Sequence, residues 1–284
     1  MFKIIDGKRH SAEMRGEIKA RAQAFKAKYN EEVGLAVVLV GNDSASQVYV
    51  RNKIKGCEET CIKSFAYYLP EEATQAQVEE LIEDLVDNPQ IHGILVQLPM
   101  PKHLDAERIL KLIPKEKDVD GFCEENMGSL CLKRDCLVAC TPNGVMKMLE
   151  REGIETAGKN AVVIGRSNIV GKPMAMLLLN ADSTVTVCHS KTKNLKETCA
   201  RADILVAAIG KPKFVTADMV KEGAVVIDVG MDRDENGKLC GDVDFENVKE
   251  KCSYITPVPG GVGPMTITML LYNTVTAAER SKAN

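Results

Sequence analysis

Short β-branched runs alternate along this chain with longer stretches whose apolar positions recur at helical spacing. GLAVVLVG (34–41) is a continuous apolar run bounded by glycines, which predicts a strand covered on both faces in a parallel sheet. SAEMRGEIKARAQAFKAKY (11–29) has helical composition. TQAQVEELIEDLVDN (74–88) puts Val78, Leu81, Ile82, Leu85 and Val86 on one side of a helix and leads into a second strand, HGILVQLP (92–99). The later half repeats the rhythm, with strands expected at AVVIG (161–165), STVTVCH (183–189), ADILVAAIG (202–210) and AVVIDVG (224–230). Strands separated by helical segments predict an α/β protein, and the later set reads as a doubly wound, Rossmann-like sheet. A helix from about Asn143 bridges the halves, so two α/β domains are expected.

Composition narrows the class. With 284 residues, 45% hydrophobic and 27% charged, the chain has the make-up of a folded globular protein. A net charge of -3 supplies no general basic field for nucleic acid or an anionic membrane. No apolar run reaches the roughly 18–20 residues of a membrane span, and the start of the chain lacks a signal-peptide pattern. The 10 cysteines are dispersed, with Cys57/Cys61 and Cys136/Cys140 lacking nearby histidines. Reduced thiols, a cytoplasmic location and no metal site are the expectation.

AVVIGRSNIVGKPMAMLLLN carries the first chemistry. A strand turns at Gly165 and enters a helix near Gly171, aiming backbone N–H groups at an anion. Both familiar phosphate templates fail: five residues separate Gly165 from Gly171, Pro173 follows Lys172, and Arg166-Ser167 follows the first glycine. At the end of the next strand, His189, Ser190, Lys191 and Thr192 stand where an NAD site places a carboxylate. With Arg166, that corner suits a 2′-phosphate, so NADP is expected over NAD. The alternative is that Arg166 and Ser190 are solvated loop residues.

The first half offers a second constellation. Gly41-Asn42-Asp43 ends a strand, and Ser44-x-x-Gln47 reads as a capping box opening a helix. On that helix Ser46, Tyr49 and Lys53 share a face. Gln97 ends the next strand, and Asp118 and Asp120 precede Gly121 in PKEKDVDGF. Two readings stand on the residues alone. Lys53, Gln97 and Asp120 are a surface lysine, a strand terminator and a charged-loop residue, or they converge at one sheet edge as a site.

The strings VGNDSASQVYVRNKIKGCEE, GILVQLPMP, KDVDGF, CTPNGVM, VVIGRSNIVGKPMAMLL, CHSKT, IDVGM, GDVDF and TPVPGGVGPMT occur in this order. Over essentially the whole chain this resembles the bifunctional methylenetetrahydrofolate dehydrogenase/methenyltetrahydrofolate cyclohydrolase family. The resemblance implies a folate-binding catalytic domain (1–138) and an NADP-binding Rossmann-like domain (139–284), with the active site in the interdomain cleft and a final helix (about 266–284) packing back on the first domain. It implies oxidation of 5,10-methylenetetrahydrofolate with NADP, then hydrolysis to 10-formyltetrahydrofolate, by a homodimer.

By the same resemblance Lys53 is the principal cyclohydrolase residue, with Gln97 bonded to it, Tyr49 beside the folate and Asp120 on the pterin. Gly260, Gly263 and Pro264 close over the folate. Gly165, Arg166 and Ser167 form the phosphate loop, Ser190 the 2′-phosphate corner, and Thr141 and Met231 line the two ends of the cofactor. Two rivals differ in class: a short-chain-type dehydrogenase using Tyr49 and Lys53 together, and a non-catalytic dinucleotide sensor. A monofunctional dehydrogenase of the same family is a third. The order of Tyr49/Lys53 and the glycine turn argues against the first, and the Lys53/Gln97/Asp120 set against the second.

Overall fold

The computed structural model describes residues 1–283, apart from the side chain of residue 45. In chain order the elements are β1 (Lys3–Ile4), α1 (Gly7–Tyr29), β2 (Gly34–Val40), α2 (Ser44–Glu59), β3 (Lys63–Leu69), α3 (Gln75–Asp87), β4 (Gly93–Val96), α4 (Ala106–Leu110), α5 (Glu124–Cys131) and α6 (Cys140–Arg151). There follow β5 (Asn160–Ile164), α7 (Gly171–Asn180), β6 (Thr184–Cys188), α8 (Leu195–Cys199), β7 (Ile204–Ala207), β8 (Ala224–Asp228), β9 (Asp232–Arg233), β10 (Leu239–Cys240), α9 (Phe245–Val248), β11 (Cys252–Ile255) and α10 (Val262–Ser281). They divide into one unit of Glu13–Cys140 with Ile267–Asn284, and another of Met1–Ala12 with Thr141–Thr266.

In the first unit a parallel three-stranded sheet runs β3-β2-β4. Its middle strand is buried at every position, the cause of its unbroken apolar run. β3, KSFAYYL, was not among the expected strands. As an edge strand with mostly exposed or half-covered residues, it carries no continuous apolar signal. α3 buries Val78, Ile82 and Leu85, and its Thr74/Gln77 pair makes a full capping box. The expected box at Ser44 does not form. Asp43 caps α2 instead, accepting the Ser46 N–H at 2.7 Å. A carboxylate one residue earlier meets the partial positive charge of the helix end and takes the position.

The second unit holds a six-stranded sheet in the order β1-β11-β8-β7-β5-β6, parallel throughout. Residues 1–12 belong to this unit because β1 pairs with β11, Lys3 opposite Tyr254 and Ile4 opposite Ile255. The chain leaves β5 for β6 on one side and returns to β7 on the other. The carboxyl ends of β5 and β7 therefore flank a topological switch point, where open α/β sheets bind ligands.

Candidate active site

In the first unit, α2 presents Tyr49 and Lys53 one turn apart; Ser46, on the same helix, is buried, and Tyr49 is 44% exposed. Lys53 Nζ donates to Gln97 Oε1 at 2.9 Å. Gln97 continues β4 by donating its backbone N–H to Val38 O at 2.8 Å, and its side-chain amide donates to Leu98 O. The side-chain nitrogen is thus engaged by Leu98 O while the oxygen faces the amine.

The DVDG segment runs beside β4, where Ile94 N–H donates to Lys117 O at 2.8 Å. Asp118 is buried and ties the turn together by accepting from Gly121 N, Cys123 N and Asn126 Nδ2. Asp120 is the free carboxylate of the pair and interacts electrostatically with Lys53. Burial pushes Asp120 up to about 6, opposed by Lys53 and reinforced by Asp118. Burial likewise lowers Lys53 from the ordinary lysine range, while Asp120 and Cys140 act to raise it. Burial thus moves the two groups toward each other, the amine down and the carboxyl up, as in sites where a lysine and a carboxylate share proton chemistry.

Sequence reasoning missed two supports of this pair. Cys140 is buried and its thiol donates to Val119 O at 3.3 Å. Asn273, on α10, donates to Val119 O and Val138 O, each at 2.8 Å. A lone asparagine on an apolar helix was the available signal, since a buried amide requires partners. Asn273→Ala removes the amide donor from both carbonyls and leaves Val119 O to the Cys140 thiol. It is expected to destabilise the protein by about 2–4 kcal/mol in denaturant unfolding, and an unchanged midpoint would contradict the role.

In the second unit, Gly165 and Arg166 after β5, Ser190 with His189 after β6, and Ala208, Ile209 and Lys211 after β7 line one cavity of about 340 Å³, with Leu195 and Phe214. Gly165 has φ of 124°, and a Cβ there would lie 2.2 Å from Ala208 O. Only glycine lets the β5 turn lie this close to the β7 loop. The cavity thus has a turn shaped for close approach of a ligand, with an arginine, a serine, a histidine and a lysine around it. Those residues fit a phosphorylated dinucleotide. Lys211 and Phe214 escaped the sequence reading, lying beyond the strand-to-helix turn that carried it.

The other expected residues sit differently. Ser167 Oγ accepts from Val170 N and Gly171 N, closing the entry to α7. Thr141 Oγ1 lies 2.9 Å from Thr266 Oγ1, and Met231 packs against Gly263. Gly260 accepts the Lys8 N–H through its carbonyl, while Gly263 and Pro264 fall in the first turn of α10. None of Ser167, Thr141, Met231, Gly260, Gly263 and Pro264 is among the residues lining the cavity at Gly165.

Two family models match the chain: the tetrahydrofolate dehydrogenase/cyclohydrolase catalytic domain over residues 5–120 and the NAD(P)-binding domain of the same family over 139–282. The chain belongs to the tetrahydrofolate dehydrogenase/cyclohydrolase family. It is 61% identical over 278 residues to the bifunctional protein FolD of Campylobacter concisus, covering 98% of each chain. The solved FolD methylenetetrahydrofolate dehydrogenase/cyclohydrolase of Campylobacter jejuni is 51% identical, with a TM-score of 0.97 over 99% of this chain and 100% of that one. The Trypanosoma brucei FolD, solved with NADP cofactor and inhibitor, is 38% identical with a TM-score of 0.94 over 100% of this chain and 99% of its own. The family's two domain models fall on the two constellations, with Lys53, Gln97 and Asp120 in the catalytic domain and Gly165, Arg166 and Ser190 in the NAD(P)-binding domain.

Proposed function

We infer that the protein oxidises 5,10-methylenetetrahydrofolate with NADP and hydrolyses the methenyl product to 10-formyltetrahydrofolate, with Lys53 as the proton-transfer residue of the second step. The observation that carries the site assignment is the Lys53–Gln97 bond beside Asp120 in the catalytic domain. In the first reaction NADP, when bound, supplies a hydride acceptor. The folate nitrogens stabilise the resulting methenyl cation, so this step draws on positioning more than on an acid or base. Tyr49, exposed on α2, and Asp120 hold the pterin. Gly260, Gly263 and Pro264 complete the folate contacts.

Hydrolysis needs protons moved. As water bonds to the methenyl carbon, Lys53 in its amine form takes the water's proton. As one carbon–nitrogen bond breaks, the hydroxyl proton is lost to solvent and the carbonyl forms, leaving the formyl group on the other nitrogen. The Lys53 ammonium gives its proton to the departing nitrogen, so one proton is released overall. Gln97 orients the amine through its oxygen, and burial of Lys53 favours the neutral form that accepts a proton. Asp120 stabilises the ammonium once formed.

For the cofactor, Arg166 and Ser190 bind the 2′-phosphate, the turn at Gly165 and Ser167 faces the pyrophosphate, and Thr141 and Met231 contact the ends of the dinucleotide. Arg166→Ala is expected to raise the NADP KM by about 10–100-fold through loss of charge-assisted bonds, with NAD affected far less. Equal losses for the two cofactors would remove Arg166 from the 2′-phosphate.

The direct test of function is spectrophotometric. Methylenetetrahydrofolate and NADP should give NADPH and a methenyl absorbance that rises and then decays. Absence of NADPH with active folate would overturn the dehydrogenase reading, and a methenyl species that persists at its uncatalysed lifetime the cyclohydrolase reading.

We also place the protein in the cytoplasm as a homodimer. β6 is an open sheet edge with Val187 37% exposed, and Leu179 on the adjoining helix is 51% exposed. Light scattering at working concentrations gives the mass directly.

A further inference from the structure

Two buried carboxylates in the NAD(P)-binding domain have no part in the chemistry above. They stand in IDVGM and GDVDF, motifs that marked the family without acquiring a task. Asp228, 2% exposed, ends β8 and accepts three backbone N–H groups: Gly230 at 3.0 Å, Asp242 at 2.9 Å and Val243 at 2.9 Å. Asp242, 0% exposed, in turn accepts from Ile209 N at 2.7 Å through Oδ2 and from Lys211 N at 2.6 Å through Oδ1. The backbone around Asp242 is fastened as well, with Lys213 N donating to Gly241 O and Val215 N to Asp242 O.

Ile209 and Lys211 belong to the loop after β7 that walls the Gly165 cavity. That loop lies against the β5 turn with no slack, because Ala208 N donates to Ile164 O at 2.8 Å and Ala208 O occupies the place a Gly165 Cβ would take. We propose that Asp242, seated by Asp228, is a positioning residue for the dinucleotide: it sets the Ala208–Lys211 wall of the cavity through two charge-assisted bonds to backbone N–H groups. The proposal rests on the assignment of this cavity to NADP.

A carboxylate accepts at both oxygens, and here each oxygen meets one N–H two residues from the other, which fixes position and rotation of the loop together. Asp228 holds Asp242 in the same manner from below, in a space so tight that a Cβ on Gly241 would lie 2.0 Å from Asp228 Oδ2. Burial pushes the Asp228 carboxyl up to about 7, against the pull of its N–H donors. Desolvating these carboxylates is costly, and the N–H donors offset part of that cost.

Asp242→Asn tests the proposal. An amide keeps the shape and one acceptor but turns an N–H against the N–H of Ile209 or Lys211. The expected result in the full-length protein is an NADP Kd raised at least 10-fold by titration calorimetry. The dehydrogenase KM for NADP should rise more than its kcat falls, and hydrolysis of added methenyltetrahydrofolate should stay at the wild-type rate. An unchanged Kd overturns the proposal, as does a proportional fall in both activities that follows a lowered unfolding temperature. Hydrogen exchange on the wild-type protein is the second measurement and needs no variant. The Ile209 and Lys211 amides should be protected as strongly as those of β7 without NADP, and free exchange overturns the proposal. Arg166→Ala, titrated in parallel, separates the two levels: if it too binds NADP normally, the cavity assignment has failed and not only the role of Asp242.

Discussion

Lys53→Met is expected to abolish cyclohydrolase activity, by about 10²–10⁴-fold, while NADPH formation from methylenetetrahydrofolate stays within several-fold of wild type. Methionine matches the length of the lysine stem, so α2 keeps its packing, but no group remains to accept the water's proton. The substitution leaves Gln97 Oε1 without its donor and removes the charge that holds Asp120 down. The Asp120 carboxyl, already pushed up by burial, should then titrate higher still.

The pH dependence of the wild-type enzyme follows from the same two groups. Lys53 is depressed by burial, so its amine fraction grows as pH rises. Asp120 is raised, so its carboxylate is present above about 6 and lost below. Protonating Asp120 relieves its upward pull on Lys53 but removes the charge that stabilises the ammonium once formed, and the second effect makes cyclohydrolase turnover fall as the medium is acidified through about 6. The dehydrogenase step, which uses neither group as acid or base, should fall less. Rates of methenyl decay, corrected for the uncatalysed reaction, and of NADPH formation give the comparison. Wild-type cyclohydrolase turnover in Lys53→Met, or equal loss of both activities, would remove Lys53 from its assigned role.

Gly165→Ala is expected to produce the opposite split. The new Cβ would sit 2.2 Å from Ala208 O and 3.0 Å from Ala208 C, both backbone atoms, at a φ of 124° that side chains rarely adopt. Neither can move without separating the turn after β5 from the loop after β7, which are the two sides of the cavity. Strain of roughly 1–3 kcal/mol from the dihedral alone adds to the collision. NADP affinity should fall by at least about 100-fold, equivalent to about 2.8 kcal/mol. Methenyltetrahydrofolate hydrolysis, which consumes no NADP, should persist at temperatures below the unfolding transition. A wild-type NADP Kd by calorimetry would show that the turn does not carry the dinucleotide.

Much of the fold was legible because parallel strands covered on both faces must be apolar at every position. GLAVVLV, AVVI and AVVID declare themselves in that way. KSFAYYL does not, since an edge strand faces water along much of its length and its alternation resembles a loop. β1 was illegible for another reason. Two residues, Lys3 and Ile4, have no periodicity, and their partners Tyr254 and Ile255 lie near the far end of the chain. Capping at α2 turned on a competition between Asp43 and Ser44, which local sequence leaves open and the geometry of the preceding turn resolved.

By itself the sequence determined the α/β class, the strand-to-helix turn at Gly165, the family, and the residue types of both constellations. Each of these depends on local pattern or on long ordered strings. Tertiary structure alone decided which groups meet. It joined Lys53 to Gln97, gathered Arg166, Ser190 and Lys211 around one cavity, hung Val119 and Val138 from Asn273, and placed Asp242 beneath the Ile209–Lys211 loop. The physical reason is that a hydrogen bond depends on two atoms being brought within 3 Å or so at a workable angle. Spacing along the chain does not encode that distance between distant residues. It arises only when parallel strands bring their carboxyl ends, and the loops that leave them, to one edge.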